Sequence, residues 1–241
     1  MTAEDVVPGL RNVRLVAIDC DGVLINDTYL AVIERFVTEH GGVYDERAER
    51  RIIGLRDVVV AELITEVCGL DQSSADTLAA IWAQHKQYLL EHPITVAPGA
   101  PELLASLEPL EVRVVCYGGR TREHTFDRYL GHLVDLLDPK IPYVCVNEHR
   151  PGVDWIVRDM FGCEFDQAVF IDDVTRVAEA ARTRAAGFIG FPSSPAHQRQ
   201  RRFMAEAGVR HIVDSLREIT PELLARVDNE LATSTHWVDR Y

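Results

Sequence analysis

Asp19-Cys20-Asp21-Gly22 sets two carboxylates two residues apart, directly after the apolar run from Leu15 to Ile18. A short, partly β-branched run closed by a glycine reads as a strand and a tight turn, so both acids stand at the carboxyl end of a strand. In an open α/β sheet that edge is where ligands bind. Two acids at this spacing can share one Mg²⁺, one through its side chain and the other through its main-chain carbonyl, while both still face a substrate. An Asp-x-Asp-Gly after a strand is also ordinary turn chemistry and lacks the later acids of a calcium loop, so the motif alone assigns nothing. A second acid pair, Asp172-Asp173, follows the apolar run from Ala168 to Ile171. Gly118-Gly119-Arg120 follows Val112 to Tyr117, and Arg150 follows Tyr143 to Val146. Acids, a glycine turn able to present amide N–H groups and a cation, all expected on one sheet edge, suit phosphoryl transfer.

The elements that must hold these residues fall into two grammars. From about residue 27 to 93 the pattern is helical, with no convincing strand. Asn26 or Asp27 caps a helix carrying Tyr29, Leu30, Val32, Ile33 and Phe36, which Gly41-Gly42 stops. A charged stretch, Asp45 to Arg51, leads to Gly54-Leu55-Arg56. Asp57 then caps a helix with Val60, Leu63, Ile64 and Val67 on one face, closed by Gly69. Ser73 or Ser74 opens another, with Leu78, Ile81, Trp82, Leu89 and Leu90, ending by Pro93. From Val96 onward strands and helices alternate, which argues for βα units on a parallel sheet. The helices there are expected after Pro101, around Phe126 to Leu130, from Asp154 to Phe161, around Ala178 to Ala186 and from Glu222 to Leu231; short later strands are expected at Gly187 to Phe191 and His211 to Val213. Tyr117 and Cys116 are expected to be strand packing, and Cys20 to point into the core.

Composition excludes several classes. With 241 residues, 47% of them hydrophobic, the chain can bury one large core or a core plus an inserted subdomain. A formal net charge of −13 argues against nucleic acid or an anionic membrane surface as partner, since both demand a basic face. No segment has the length and apolarity of a membrane span and Met1 to Arg11 lacks a signal-peptide pattern, so a cytoplasmic protein is expected. The five cysteines are scattered singly, without a Cys-x-x-Cys pair, and no His-x-x-x-His pair occurs, so neither a disulfide framework nor a zinc site is indicated.

Taken together, Asp19-Cys20-Asp21-Gly22-Val23-Leu24, Val96-Ala97-Pro98-Gly99-Ala100-Pro101-Glu102, Arg150-Pro151-Gly152-Val153-Asp154 and Phe170-Ile171-Asp172-Asp173 resemble the haloacid dehalogenase superfamily, in the branch of phosphoglycolate phosphatase and β-phosphoglucomutase. The resemblance runs from about residue 13 to 220. It implies a three-layer, Rossmann-like α/β core with a parallel sheet, made of residues 1–26 and 94–241, and an all-helical cap of residues 27–93. It also implies a Mg²⁺-dependent phosphatase acting on a small phosphorylated metabolite such as a sugar phosphate. Phosphomutase chemistry, or a weakly catalytic phosphometabolite-binding protein, is the alternative.

By that resemblance Asp19 is the nucleophile, Asp21 the general acid and base, and Arg150 the cation that accompanies them. Asp19, Asp21, Asp172 and Asp173 form the metal site. Gly118, Gly119 and Arg120 bind the phosphoryl group, and Arg56, in a stretch similar to a substrate-contacting cap loop, touches the substrate. His197 through Val209 resembles the tail of some sugar phosphatases. Two departures stand out. The family's second motif supplies a Ser or Thr hydroxyl where this chain is aligned to Gly118, and main-chain amides or Arg120 are expected to compensate. The third motif has Lys where this chain has Arg150, with Lys140 as the other candidate cation.

Overall fold

The computed structural model describes residues 9–192 and 198–239. Six strands, β1 (Leu15–Asp19), β2 (Arg113–Gly118), β3 (Tyr143–Cys145), β4 (Ala168–Asp172), β5 (Gly187–Gly190) and β6 (His211–Ile212), form one sheet in the order β3-β2-β1-β4-β5-β6. Every pairing is parallel. β1 is central and buried along its whole length, which explains its unbroken apolar run.

Alternation along the strands sends side chains to two separate layers. Val16, Ile18, Val114, Cys116, Val169 and Ile171 pack on one face with Leu103, Leu104, Leu224 and Leu231. Leu15, Ala17, Val115, Tyr117 and Phe170 pack on the other with Ile156, Val157, Val177, Ala181 and Met204. The result is a three-layer α/β sandwich.

The helices α1 (Leu30–Glu39), α2 (Glu46–Ile52), α3 (Asp57–Cys68) and α4 (Ser74–Glu91) intervene between β1 and the next helix of the sandwich, α5 (Ala100–Leu107). They enclose an apolar cluster of their own, including Ile33, Phe36, Ile52, Ile64 and Ile81. The chain leaves and re-enters the sheet layer side by side: Ile25 bridges Val96, Asn26 N–H donates to the Thr95 carbonyl at 3.1 Å, and Thr95 N–H donates to Asn26 Oδ1 at 2.7 Å. Asp27 caps the entry, accepting from the N–H groups of Tyr29 at 2.8 Å and Leu30 at 3.1 Å.

Several local expectations change. The charged stretch after Asp45 is helix α2, capped by Asp45, which accepts from Ala48 N–H at 2.9 Å. After β2 the helix is a single turn, α6 (Phe126–Tyr129), followed by a 3₁₀ segment, Gly131–Leu136. Trp155–Met160 is wound wider than an α-helix, with Phe161 N–H bonded to the Ile156 carbonyl five residues back. Helix α7 (Thr175–Thr183) follows β4, α8 (Gln198–Ala207) precedes β6 and α9 (Pro221–Ala232) closes the chain. The sequence-level tail motif begins at His197, which lies outside the described residues; Gln198–Ala207 is the unexpected helix α8. The five cysteines are free. Among the described residues, no helix is long and apolar enough to cross a membrane.

Candidate active site

Strand register brings the motifs to one edge. Asp19 pairs with Tyr117 across β1 and β2, and Ile18 pairs with Ile171, so Asp172 stands one residue beyond, beside Asp19. Gly118 pairs with Cys145, which carries the loop to Arg150 over the same edge. Asp19, Asp21, Asp173, Gly118, Gly119, Arg120 and Arg150 all line one cavity, roofed by Tyr29, Leu55, Asp57 and Trp82 from the inserted helices. Its volume is about 70 Å³, and it is only partly covered, since the Arg120 and Asp21 side chains keep 15% and 19% of their surface exposed.

The glycines are explained by what lies against them. A Cβ on Gly118 would meet the Tyr143 hydroxyl at 2.8 Å, and one on Gly119 would meet Arg150 Nη2 at 2.6 Å. Tyr143 is pinned there by donating to the Arg120 carbonyl at 2.7 Å. The glycine turn therefore lets a guanidinium lie flat against the backbone beside Asp19. Gly54, at φ +80°, does the same for the roof: a Cβ there would press on Val174 and Arg176 at 3.0 Å. Around it Arg176 donates to the carbonyls of Ile53 at 2.9 Å and Arg50 at 2.7 Å.

Burial and mutual repulsion dominate the acids. Burial pushes the Asp19 carboxyl well up, and Asp172 and Asp173 add to the shift while Arg150 opposes it. Asp172 is pushed up to about 7 by burial and by Asp173, against hydrogen bonds from the Tyr117 hydroxyl and Val174 N–H. Asp21 is raised by burial and held back chiefly by Arg120, whose Nη2 lies 2.7 Å from Asp21 Oδ2. Burial would lower Arg150, but Asp19 and Asp172 raise it, so its charge is secure.

Arg120 also joins the two parts of the molecule. It reaches Thr28 Oγ1 at 3.4 Å and His85 Nε2 at 3.1 Å, and its guanidinium sits 5.6 Å from the Trp82 ring centre. His85, pushed down to about 4 by burial and by Arg120, stays neutral and can accept.

The structure corrects one expectation and places two further residues. Arg56 is not among the cavity-lining residues: it is half-exposed and pairs with Glu148 on the loop after β3, because the Gly54 turn points it outward along the joint. Lys140 is exposed in the turn before β3, at the opposite end of the strand from the acids. The Gly118 position lacks a hydroxyl as expected, but a hydroxyl does stand one residue earlier, since Tyr117 donates to Asp172 Oδ2 beneath the cavity floor.

Hard carboxylate oxygens are what Mg²⁺ takes, and the repulsion raising Asp19 is what a cation would relieve, so the donor set fits the ion in type and charge. The four acids are not gathered around one point, however. Asp172 is engaged by Tyr117 and by Val174 N–H at 2.7 Å, and Asp21 by Arg120. Among the described residues no three His, Cys, Asp or Glu side chains are grouped as a metal shell.

No protein-family model and no curated protein matches the chain. Solved structures do. A conserved haloacid dehalogenase-like protein of unknown function from Agrobacterium tumefaciens superposes with a TM-score of 0.67 at 19% identity, over 89% of this chain and 98% of that one. A predicted phosphoglycolate phosphatase from Haemophilus somnus gives 0.60 at 16% identity, over 88% and 98%. A β-phosphoglucomutase from Clostridium difficile gives 0.65 at 14% identity, over 92% and 99%. With its parallel six-stranded sheet, acids at the carboxyl ends of β1 and β4 and helices inserted after β1, the chain has the fold of the haloacid dehalogenase-like phosphatases and phosphomutases.

Proposed function

We propose that the protein is a phosphatase that moves the phosphoryl group of a small phosphomonoester to Asp19 and then to water. The observation that carries this reading is the convergence of Asp19 and Asp21 with Arg150 and the Gly118 to Arg120 turn in one cavity. An Asp19 carboxylate oxygen attacks phosphorus, the bond to the leaving oxygen breaks, and Asp21 gives that oxygen a proton. Asp21 then takes a proton from the water that attacks the aspartyl-phosphate, releasing phosphate and restoring Asp19. Burial, which raises Asp21, suits a group that must hold a proton first and take one back later.

Arg150 and the main-chain N–H groups of the glycine turn stabilise the equatorial oxygens. Mg²⁺ would supply charge that lets an anionic nucleophile approach a phosphate dianion, and Asp19, Asp172 and Asp173 would hold it only after turning toward a common point. Phosphomonoester hydrolysis demands accelerations of up to ~10²¹-fold, so exclusion of bulk water by the roof belongs to the mechanism. Substrate entry then requires the roof to lift.

The test is release of phosphate from a panel of phosphorylated metabolites with and without Mg²⁺, repeated with Asp19→Asn, which removes the attacking charge at nearly constant volume. Loss of turnover with unchanged circular dichroism is expected. Turnover by Asp19→Asn comparable to the wild type would overturn the nucleophile assignment. Turnover only in the presence of a sugar bisphosphate primer would point to a phosphomutase.

A further inference from the structure

The roof of the cavity adds further negative charge to a wall that already sets Asp19, Asp21 and Asp173 beside Arg120 and Arg150. Among the described residues, the inserted helical segment contributes two acids to the cavity lining, Asp27 and Asp57, and no Lys, Arg or His. Asp27 has local work, capping α1. Asp57 does not cap α3: the cap position is Arg56, and Asp57 begins the helix itself. Its main-chain N–H is anchored to Asn147 Oδ1 at 3.3 Å, and its carboxylate lines the cavity and takes a hydrogen bond from the Tyr29 side chain. Burial raises its carboxyl, while Arg150 and Arg120 across the cavity lower it.

A cavity built only to admit a phosphate dianion gains nothing from a carboxylate on its far wall, since like charges repel through a low-dielectric space. The carboxylate is useful if the ligand is two-signed, with phosphate toward Arg150 and a positive group toward the roof. The neighbouring surfaces agree. The Tyr29 and Trp82 rings stand 6.2 Å apart, and both line the cavity. A carboxylate sharing a cavity with a Trp82 ring that already carries one cation, Arg120 at 5.6 Å, offers an organic ammonium a counter-charge and a cation-binding face.

We infer that the leaving group of the substrate carries a protonated amine that pairs with Asp57 against Tyr29 and Trp82. The substrate class is then an amino-alcohol or amino-sugar phosphate. The inference rests on the phosphatase reading for the phosphoryl end and adds the recognition of the other end. Asp57 sits at the joint between cap and core, beside the Gly54 turn. Pairing there links recognition of the amine to closure of the roof.

The experiment separates the two readings by measuring binding apart from turnover. In the full-length Asp19→Asn protein, calorimetry compares two matched pairs: 2-aminoethyl phosphate with 2-hydroxyethyl phosphate, and glucosamine 6-phosphate with glucose 6-phosphate. The amine member of at least one pair should bind roughly 10- to 150-fold more tightly, the range for a charged hydrogen bond. Adding Asp57→Asn should erase that margin while leaving affinity for the hydroxyl member and for inorganic phosphate unchanged or improved. Equal affinity within both pairs, a margin that survives Asp57→Asn, or no binding of any of the four overturns the inference. So does an Asp57→Asn effect that is the same for every ligand, phosphate included, which would make Asp57 a counter-charge for Arg150 and Arg120 alone. Phosphate release by the wild-type protein is scored separately and can fail without disturbing the binding comparison.

Discussion

Tyr117→Phe isolates one hydroxyl under the active-site floor. The ring is fully buried and edge-on to Phe170, at 5.9 Å between centres, and phenylalanine keeps that packing. What is lost is the hydrogen bond to Asp172 Oδ2. A hydrogen bond to a charged group is typically worth about 1.5–3 kcal/mol, and for a chain of this size each kcal/mol shifts the melting temperature by roughly 2–4 °C. The expected drop is therefore roughly 3–12 °C at pH 8 without divalent ions. Acidification should shrink it. Asp172 titrates near 7, so at pH 5 it is largely protonated, and a bond between neutral groups is worth only about 0.5–1.5 kcal/mol. Mg²⁺ should also shrink it, because an ion held by Asp172 competes with Tyr117 in the wild type and with nothing in the variant. Differential scanning fluorimetry at pH 5 and pH 8, with and without Mg²⁺, reads all three effects. An unchanged melting temperature at pH 8, or a larger loss at pH 5 than at pH 8, would refute the assignment of Tyr117 as a partner of ionised Asp172.

Gly118→Thr should lower activity instead of restoring a missing hydroxyl, because its Cβ would meet the Tyr143 hydroxyl at 2.8 Å and Cys20 Cβ at 3.3 Å; steady-state phosphate release measures this, and strong activation would show that the hydroxyl is simply lost. Arg120→Ala should cut turnover roughly tenfold or more by removing a cation for the phosphoryl group and the link to Thr28 and His85, and wild-type rates in that variant would make Arg120 a bystander. His85 is held near 4 against an ordinary value of 6.5, so the unfolded chain binds more protons between those values and stability falls as pH drops from about 6.5 to 4. The loss reaches about 3 kcal/mol, and denaturant titrations should show His85→Gln removing that part of the acid slope.

The framework of the site was legible because it is local. Asp19 and Asp172 each terminate a run of four apolar residues, and a parallel sheet with all its strands pointing one way must bring such ends to one edge. What stayed hidden depends on partners far along the chain. Helix α2 reads only as a charged stretch because its buried face includes Glu49, which takes hydrogen bonds from Arg199 at 2.9 Å and Gln200 at 2.6 Å. Tyr117 looks like strand packing, and is, but its hydroxyl meets an acid 55 positions later. Asp57 is the instructive case. An aspartate before an apolar helical pattern is an ordinary capping signal, and nothing in the local sequence tells that Arg56 takes the cap position and turns outward to Glu148 while Asp57 turns toward the cavity. Arg56 and Asp57 thus exchange the roles that sequence spacing suggests.

The pairing of Arg120 with Asp21 bears on when the acid carries its proton. Arg120 lies 2.7 Å from Asp21 in the cavity and is the main influence opposing the burial that raises its carboxyl. A general acid must be protonated when the leaving group departs, so this ion pair works against Asp21 for as long as it lasts. A phosphoryl group seated in the glycine turn competes for the same guanidinium, which prefers a dianion with three oxygens to a single carboxylate. As Arg120 moves to the phosphate, Asp21 loses its counter-charge, burial and Asp173 prevail, and its affinity for a proton rises. On the proposed reading, arrival of the substrate raises the proton affinity of the acid at the moment its proton is needed.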